Sequence, residues 1–303
     1  MSMNDVTKTR SGFVVLIGMP NAGKSTLVNQ LVGMKVSIVT HKVQTTRTLI
    51  RGIVIHDDAQ IVLIDTPGVF SPHKRLERVM VSAAWGGVKN ADLLLVLIDA
   101  QNGLSDEVCK MLDIVESIKK DKILVLNKID TVAKSSLLAL TAEINEHVKF
   151  LQTFMISALN GSGCEDLLHT LSTMMQEGPW YYPEDQISDM PMRQLAAEIT
   201  REKLFLRLHD ELPYSSTVET ENWEECRDGS VKINQVIYVE RDSQKKIVLG
   251  AKGNTVKAIG QAARKELMDI MGQKVHLFLF VKVRDNWDTD PERYLEMGLD
   301  FFK

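Results

Sequence analysis

The sequence predicts an α/β domain with a doubly wound, mainly parallel sheet, followed by a smaller α+β domain. Three observations carry this reading. Short, wholly apolar runs alternate with amphipathic stretches of helical length through the first half of the chain. A stretch rich in proline, aromatic and acidic residues, 177–191, then breaks the pattern and reads as a linker. Beyond it the order changes to helix, strand, strand, helix, helix, strand. At ~100–200 residues per domain, 303 residues suit two domains. The boundaries fall at 1–176, the linker 177–191, and 192–303 with a C-terminal tail.

The strand runs are "FVVLI" (13–17), "IVLI" (61–64), "LLLVLI" (93–98), "ILVL" (123–126) and "TFMI" (153–156). A run apolar at every position is buried on both faces, which requires helices above and below the sheet. Ligands of such sheets bind outside the carboxyl ends of the strands, so the loops after these runs should carry the chemistry. The polar, β-branched stretch "VTHKVQTTRT" (39–48) reads by itself as an edge strand. After the linker, 192–212 has helical periodicity, and 214–223 and 231–240 are strand candidates. "SQKKIVLG" ends a short helix, a second helix runs to about Met271, and 274–283 forms the last strand.

Composition excludes several classes. The longest aliphatic run, 93–98, is far short of the ~20 residues that span a bilayer. "MSMNDVTKTR" is too polar for a signal peptide. Cys109, Cys164 and Cys226 form no CxxC, which suits a reduced, cytoplasmic compartment. A net charge of −4 argues against a generally basic nucleic-acid binder and leaves room only for a local basic patch.

"GMPNAGKST" follows the first strand and opens a helix. Gly18, Met19, Pro20, Asn21, Ala22, Gly23, Lys24, Ser25 and Thr26 fit the phosphate loop GxxxxGK[ST]. Its glycines let successive N–H groups turn toward phosphate oxygens, Lys24 reaches the β- and γ-phosphates, and the Ser25 hydroxyl can ligate Mg²⁺. "DTPG" follows the second run: Asp65 is placed to hold Mg²⁺ through water, and Thr66 and Pro67 lead to Gly68, whose N–H can meet the γ-phosphate. Val69 comes next, where many GTPases carry a glutamine that orients water; valine can neither donate nor accept.

"NKID" supplies Asn127 to brace the loop, Lys128 to lie over the base, Ile129, and Asp130 to accept from guanine N1–H and the 2-amino group. Adenine offers neither donor, so this pairing can discriminate by ~10⁴. "SAL" adds Ser157, Ala158, whose N–H can meet guanine O6, and Leu159. Each short string is weak alone, since an Asp after a strand is more often a helix cap. Their order at successive strand ends carries the argument. It opposes a metabolic phosphotransferase using adenine nucleotides, and a relic nucleotide fold that only binds RNA. In a GTPase, 39–48 becomes the first switch, where Thr45 and Thr46 both qualify and Thr46 is favoured. Residues 69–78 become the second, whose basic run His73, Lys74, Arg75 and Arg78 reads first as a solvated helix face.

A second Gly-Lys loop, "VLGAKGNTVKAIG" (248–260), fails the phosphate-loop spacing, because Thr255 and Val256 stand where Gly and Lys are required. A GxxG turn between two helices is instead the signature of a KH module, which clamps about four nucleotides of single-stranded backbone. Gly250, Ala251, Lys252 and Gly253 form the clamp, with Lys257 beside it. Ile247 and Val256 are candidates for the groove wall, and Val248 and Ile259 for the core. Residues 245–282 hold eight lysines and arginines against Glu266 and Asp269, a basic patch inside an acidic chain. Trp287 and Tyr294 could stack on bases, but packing onto the domain is the favoured reading.

"GMPNAGKST", "QTTR", "DTPG", "NKID" and "SAL", followed by a helical GxxG loop, resemble the Era family within the TrmE-Era-EngA-like GTPases, from about residue 11 to 287. The resemblance implies a P-loop GTPase domain followed by a type II KH domain. It implies hydrolysis of GTP to GDP and phosphate, with Lys24, Thr46 and Gly68 as catalytic residues. Mg²⁺ would sit on Ser25, Thr46 and, through water, Asp65. It implies binding near the 3′ end of 16S ribosomal RNA, a role in 30S subunit maturation, and GTP control of RNA binding and release. It further implies a monomer and peripheral association with the inner membrane, while Val69 implies either slow intrinsic turnover or help from the backbone, an ion or a partner. Potassium held by Asn21, Thr45 and carbonyls of residues 40–42 is implied as an added cation; the plain alternative is that Asn21 stabilises a turn. Relatives with tandem GTPase domains do not fit a chain with one set of motifs.

Overall fold

The computed structural model describes residues 9–285 together with Trp287, Asp290, Pro291, Tyr294 and Leu299. Two units emerge among the described residues, one of residues up to 37 with Thr46–Asp189 and Leu299, the other of Ile38–Thr45 with the chain from Met190 to Tyr294.

The first unit places the apolar runs as parallel strands. They are β1 (Arg10–Gly18), β3 (Ala59–Asp65), β4 (Leu93–Asp99), β5 (Asp121–Asn127) and β6 (Gln152–Met155). The order is β2-β3-β1-β4-β5-β6, with β2 (Ile50–His56) antiparallel to β3. Alternate residues feed opposite cores. Val14 and Leu16 of β1 pack with Leu27 of α1 (Lys24–Val32) and Leu167 of α5 (Cys164–Met174). Val15 and Ile17 pack with Ala84 of α2 (Arg75–Lys89), Leu112 of α3 (Asp106–Ser117) and Ile144 of α4 (Lys134–His147). Each such burial stabilises by about 1.5–3 kcal/mol relative to exposure. β1, β3, β5 and β6 each lead directly into a loop that holds one of the motifs.

The edge strand is Ile50–His56, and 39–48 contains no strand. Gly52 explains why β2 reads poorly: a Cβ there would lie 2.8 Å from Val28 Cγ1 and 2.9 Å from Val32 Cγ2, so glycine lets α1 close on the strand.

The stretch 177–191, expected to be a linker, is bound along the first unit as far as Asp189. β7 (Gln176–Glu177) pairs antiparallel with Arg10 and Ser11 of β1. The fully buried Gln60 accepts from the N–H groups of Tyr181 and Tyr182 at 2.8 and 3.0 Å and donates to the Tyr182 carbonyl at 2.8 Å. Farther on, the Ile53 N–H donates to the Ile187 carbonyl, and Arg51 pairs with Asp189 at 2.6 Å. Composition marked the absence of a regular element but not these anchors.

The second unit has α6 (Met192–Arg207), β8 (Ser216–Glu225), β9 (Val231–Val239), α7 (Asp242–Leu249), α8 (Asn254–Met271) and β10 (Val275–Val283). The sheet order is β10-β9-β8, with β10 parallel and β8 antiparallel to β9. Leu204 and Phe205 of α6, Val248 of α7 and Ile259 of α8 pack with Ile237 of β9. α6 stops five residues short of the helix read from sequence, because Leu208 turns extended. Trp287 and Tyr294 are each 1% exposed, and the Trp287 indole donates to the Ser215 carbonyl at 3.0 Å, so both are packing residues. Among the described residues no helix is long and apolar enough to cross a membrane.

Candidate nucleotide site and nucleic-acid groove

The loop from Gly18 to Thr26 leaves β1 and turns into α1 through two left-handed residues, Asn21 (φ 61°) and Gly23 (φ 96°). Gly23 is required twice over: its backbone is left-handed, and a Cβ would stand 2.1 Å from Asn127 Nδ2. Asn127 joins three loops, donating to the Ala22 carbonyl and accepting from the Ala158 N–H, both at 2.9 Å. The bracing role read for Asn127 is thus visible, while the Ala158 N–H is directed to Asn127.

Lys24 is 6% exposed, and its ammonium donates to the Gly18 and Met19 carbonyls at 2.9 and 3.0 Å. Burial lowers its pKa to about 8, against the opposing pull of Asp65.

Asp65 is fully buried and gathers hydroxyls around one oxygen. Its Oδ2 accepts from Ser25 at 2.6 Å, Ser37 at 2.7 Å and Thr46 at 3.4 Å, and Ser25 and Thr46 share a hydrogen bond of 2.8 Å. Burial raises the Asp65 pKa, while these hydroxyls and Lys24 oppose the rise. The other oxygen, Oδ1, is buried with no hydrogen-bond partner. A buried oxygen left over, in a set made only of carboxylate and hydroxyl donors, fits a hard divalent cation such as Mg²⁺.

The Thr46 hydroxyl thus lies in the Ser25–Asp65 cluster. The Thr45 hydroxyl instead donates to the Lys42 carbonyl at 2.7 Å and shares a 2.6 Å hydrogen bond with Thr40. Thr66 donates to the Leu16 carbonyl at 2.6 Å. Gly68 lies so close to Pro20 that a Cβ would meet its backbone nitrogen at 2.7 Å. Val69 donates its N–H to the Gly18 carbonyl at 3.1 Å and buries its side chain in the core. At the second switch, α2 begins at Arg75, and His73, Lys74 and Arg78 are exposed.

At the base end, Lys128 (φ 65°) sends its ammonium to Asp99 Oδ2 at 2.7 Å. Asp130 is exposed in the short 3₁₀ turn Ile129–Thr131. Ser157 is buried and Leu159 is 80% exposed. Sequence reasoning missed Asp99 and Ser37. Asp99 ends an apolar strand run, a signal that was available; Ser37 lies in no motif.

In the second unit, Gly250–Gly253 form a tight turn between α7 and α8. Gly250 has φ 70° and ψ 177°, and a Cβ there would stand 2.1 Å from Thr255 Oγ1. Lys252 (φ 54°) is exposed at the tip with Ala251. Next to the turn, a groove of about 280 Å³ runs between α8 and β10, walled by Val256, Lys257, Gly260, Gln261, Arg264, Leu277 and Leu279. Val256 was a candidate for the groove wall and Lys257 was placed beside the clamp; Gly260 and Arg264 continue the Val256 face at a spacing of four, which the helical period could have supplied. Ile247 is 58% exposed and does not line this groove. Val248 and Ile259 are fully buried, as read.

A P-loop GTPase joined to a KH domain is the class that this fold and these two loops define. Family models agree: a 50S ribosome-binding GTPase matches residues 13–128, and a KH domain matches residues 211–288. GTPase Era of Brucella suis biovar 1 (strain 1330) is 69% identical over 297 residues, covering 98% of this chain and 96% of the relative. GTPase Era of Mesorhizobium japonicum (strain LMG 29417 / CECT 9101 / MAFF 303099) is 67% identical over 293 residues, covering 97% and 94%. A crystal structure of Era in complex with MgGDPNP and nucleotides 1506–1542 of 16S ribosomal RNA is similar with a TM-score of 0.91 and 36% identity, covering 97% of this chain and 100% of that one. A variant of Aquifex aeolicus Era bound to GDP·AlF4⁻ has the same TM-score, 0.91, at 37% identity and the same coverage, 97% and 100%. The chain belongs to the Era family of GTPases.

Proposed function

We propose that this GTPase binds small-subunit ribosomal RNA near the 3′ end of 16S and assists 30S subunit maturation, with GTP favouring RNA binding and hydrolysis favouring release. One observation carries the reading: a single chain holds both a buried hydroxyl–carboxylate cluster behind a phosphate loop and an exposed Gly-Lys turn beside a groove. The related Era crystallised with MgGDPNP and 16S nucleotides supports both halves.

In this reading Ser25 and Thr46, with Asp65 through water, hold Mg²⁺, which supplies charge neutralisation at the phosphates. Lys24 contributes positive charge to the β- and γ-phosphates. Gly68 presents its N–H to the γ-phosphate, and its closeness to Pro20 leaves no room for a side chain. Asp130 accepts from the guanine edge while Asn127 holds the surrounding loops together. Val69 is buried and has no polar group, so no side chain at 69 orients water and intrinsic turnover is slow. Potassium on Asn21 and Thr45 is the added-cation reading; faster hydrolysis in K⁺ than in Na⁺ at equal ionic strength tests it, and equal rates would remove it.

On the RNA side, Gly250 and Gly253 allow close approach of the backbone, Lys252 and Lys257 pair with phosphates, and Val256 meets bases in the groove. RNA crosslinking with GTP, with GDP, and in Lys252→Ala tests the whole reading. Crosslinks should map near the 16S 3′ end, be strongest with GTP and weaken in the variant. Binding is reciprocal, so RNA should tighten GTP binding by the same factor. Equal crosslinking in both nucleotide states would sink the switch. A monomer with peripheral inner-membrane association follows from the family resemblance, and sedimentation with and without anionic vesicles tests it.

A further inference from the structure

Outside both loops, three side chains with metal-ligand chemistry converge on the first unit. A ring nitrogen of His56, one of His169 and a carboxylate oxygen of Asp57 lie within 4.8 Å of one another. Three separate elements hold them. His56 ends β2, Asp57 opens the two-residue turn into β3, and His169 stands within α5. Asp57 has φ 55°, a positive φ of the kind that tight two-residue hairpin turns require. The imidazole rings meet edge-on, with centroids 5.8 Å apart at 77°, so they converge without stacking. The neighbouring acid, Asp58, is turned to another partner, Arg10 Nε at 3.6 Å.

We propose that His56, Asp57 and His169 form a site for a divalent transition metal of the zinc class, separate from the Mg²⁺ cluster. Two imidazoles and one carboxylate suit zinc better than magnesium or calcium, which take oxygen ligands. Zinc bonds of ~2.0–2.2 Å set ligand atoms of a tetrahedral site roughly 3.3–3.5 Å apart. From 4.8 Å, small side-chain rotations close the gap. The side chains have that freedom, with His56 26% and Asp57 69% exposed. Water completes the coordination. Bound metal would tie the β2–β3 hairpin, at the edge of the sheet, to α5.

The test uses the full-length chain, stripped by chelator and held in excess GDP and Mg²⁺ so that the oxygen cluster is occupied. Zn²⁺ is titrated against a chromophoric chelator, and Co²⁺ is used for its visible spectrum. One Zn²⁺ per chain should bind with a dissociation constant on the order of micromolar, raising the midpoint of thermal unfolding. His56→Ala and His169→Ala should each weaken binding at least ~10-fold and lose the thermal shift, and His169→Cys, another zinc ligand, should restore both. GTP hydrolysis without added zinc should be unchanged in these variants, which reports intact folding. If either alanine variant unfolds, Asp57→Asn on the exposed turn gives the same readout. Absence of binding up to ~100 µM Zn²⁺, or binding that all three ligand-removing variants leave unchanged, overturns the proposal.

Discussion

Adding nucleotide at pH 8 should draw about half a proton per chain out of the buffer, and Lys24 is the reason. Burial lowers its pKa to about 8. Without nucleotide, the fraction uncharged is therefore about 0.1 at pH 7, 0.5 at pH 8 and 0.9 at pH 9. Phosphate oxygens beside the ammonium favour its charged form and restore the missing proton. The nucleotide contributes little in this range, because phosphate monoesters ionise near pH 6. Calorimetric titration with GDP and Mg²⁺ in buffers of different ionisation enthalpy counts the protons, since the slope of apparent enthalpy against ionisation enthalpy is the number taken up. The slope should rise from about 0.1 at pH 7 to about 0.5 at pH 8. Lys24→Arg, which stays charged throughout, should give a slope near zero. A wild-type slope flat across this range, or one shared by the arginine variant, would refute the argument.

The same shift has a consequence for the nucleotide-free fold. An unfolded chain keeps the Lys24 proton up to the ordinary lysine value of 10.5, whereas the folded chain releases it at about 8. Between these values the unfolded state binds more protons, so the Lys24 contribution to stability rises with pH. Below pH 8 the folded chain carries the full cost of a buried charge, about 3 kcal/mol for the gap between 10.5 and about 8.

Two substitutions separate loop architecture from base reading. Gly23→Ala meets a left-handed backbone and Asn127 at 2.1 Å, so it should cost about 1–3 kcal/mol in denaturant unfolding and abolish GDP binding; unchanged stability would show that the loop relaxes freely. Asp130→Ala lies on an exposed turn, so stability should stay within about 0.5 kcal/mol. Guanine-over-adenine preference should nevertheless fall at least ~100-fold in competition binding, and a retained preference would remove Asp130 from base recognition.

How much of this was legible depended on where each signal resides. The parallel strands were readable because burial on both faces leaves no polar position in "LLLVLI". β2 was not, because Gly52 serves its contact with Val28 and Val32, and its alternation mixes faces. Asp65 was readable by its place after a strand, but Ser37 was not, because that hydroxyl reaches Asp65 through tertiary folding from 28 residues away. The strap at 177–189 shows the same limit. Its prolines and acids reported truthfully that no helix or long strand forms there, while its anchoring depends on Gln60, more than a hundred residues earlier.

The two Gly-Lys loops use similar backbone devices for different physical ends. Lys24 is buried, desolvated and held by two carbonyls, so its charge is costly and, in the proposed reading, would act at short range on one phosphate group. Lys252 sits exposed on a left-handed turn, where water and salt screen it and its charge costs little. A buried lysine suits a compact ligand that excludes water; an exposed one suits a long polyanion whose counterions are released on binding. This difference sets a measurable contrast. Lys252→Ala should reduce the slope of log affinity for single-stranded RNA against log salt by about 0.7, the value for one phosphate contact, and leave GDP affinity unchanged. An unchanged slope would mean that Lys252 touches no phosphate, and the turn would then act through the close approach of Gly250 and Gly253 alone.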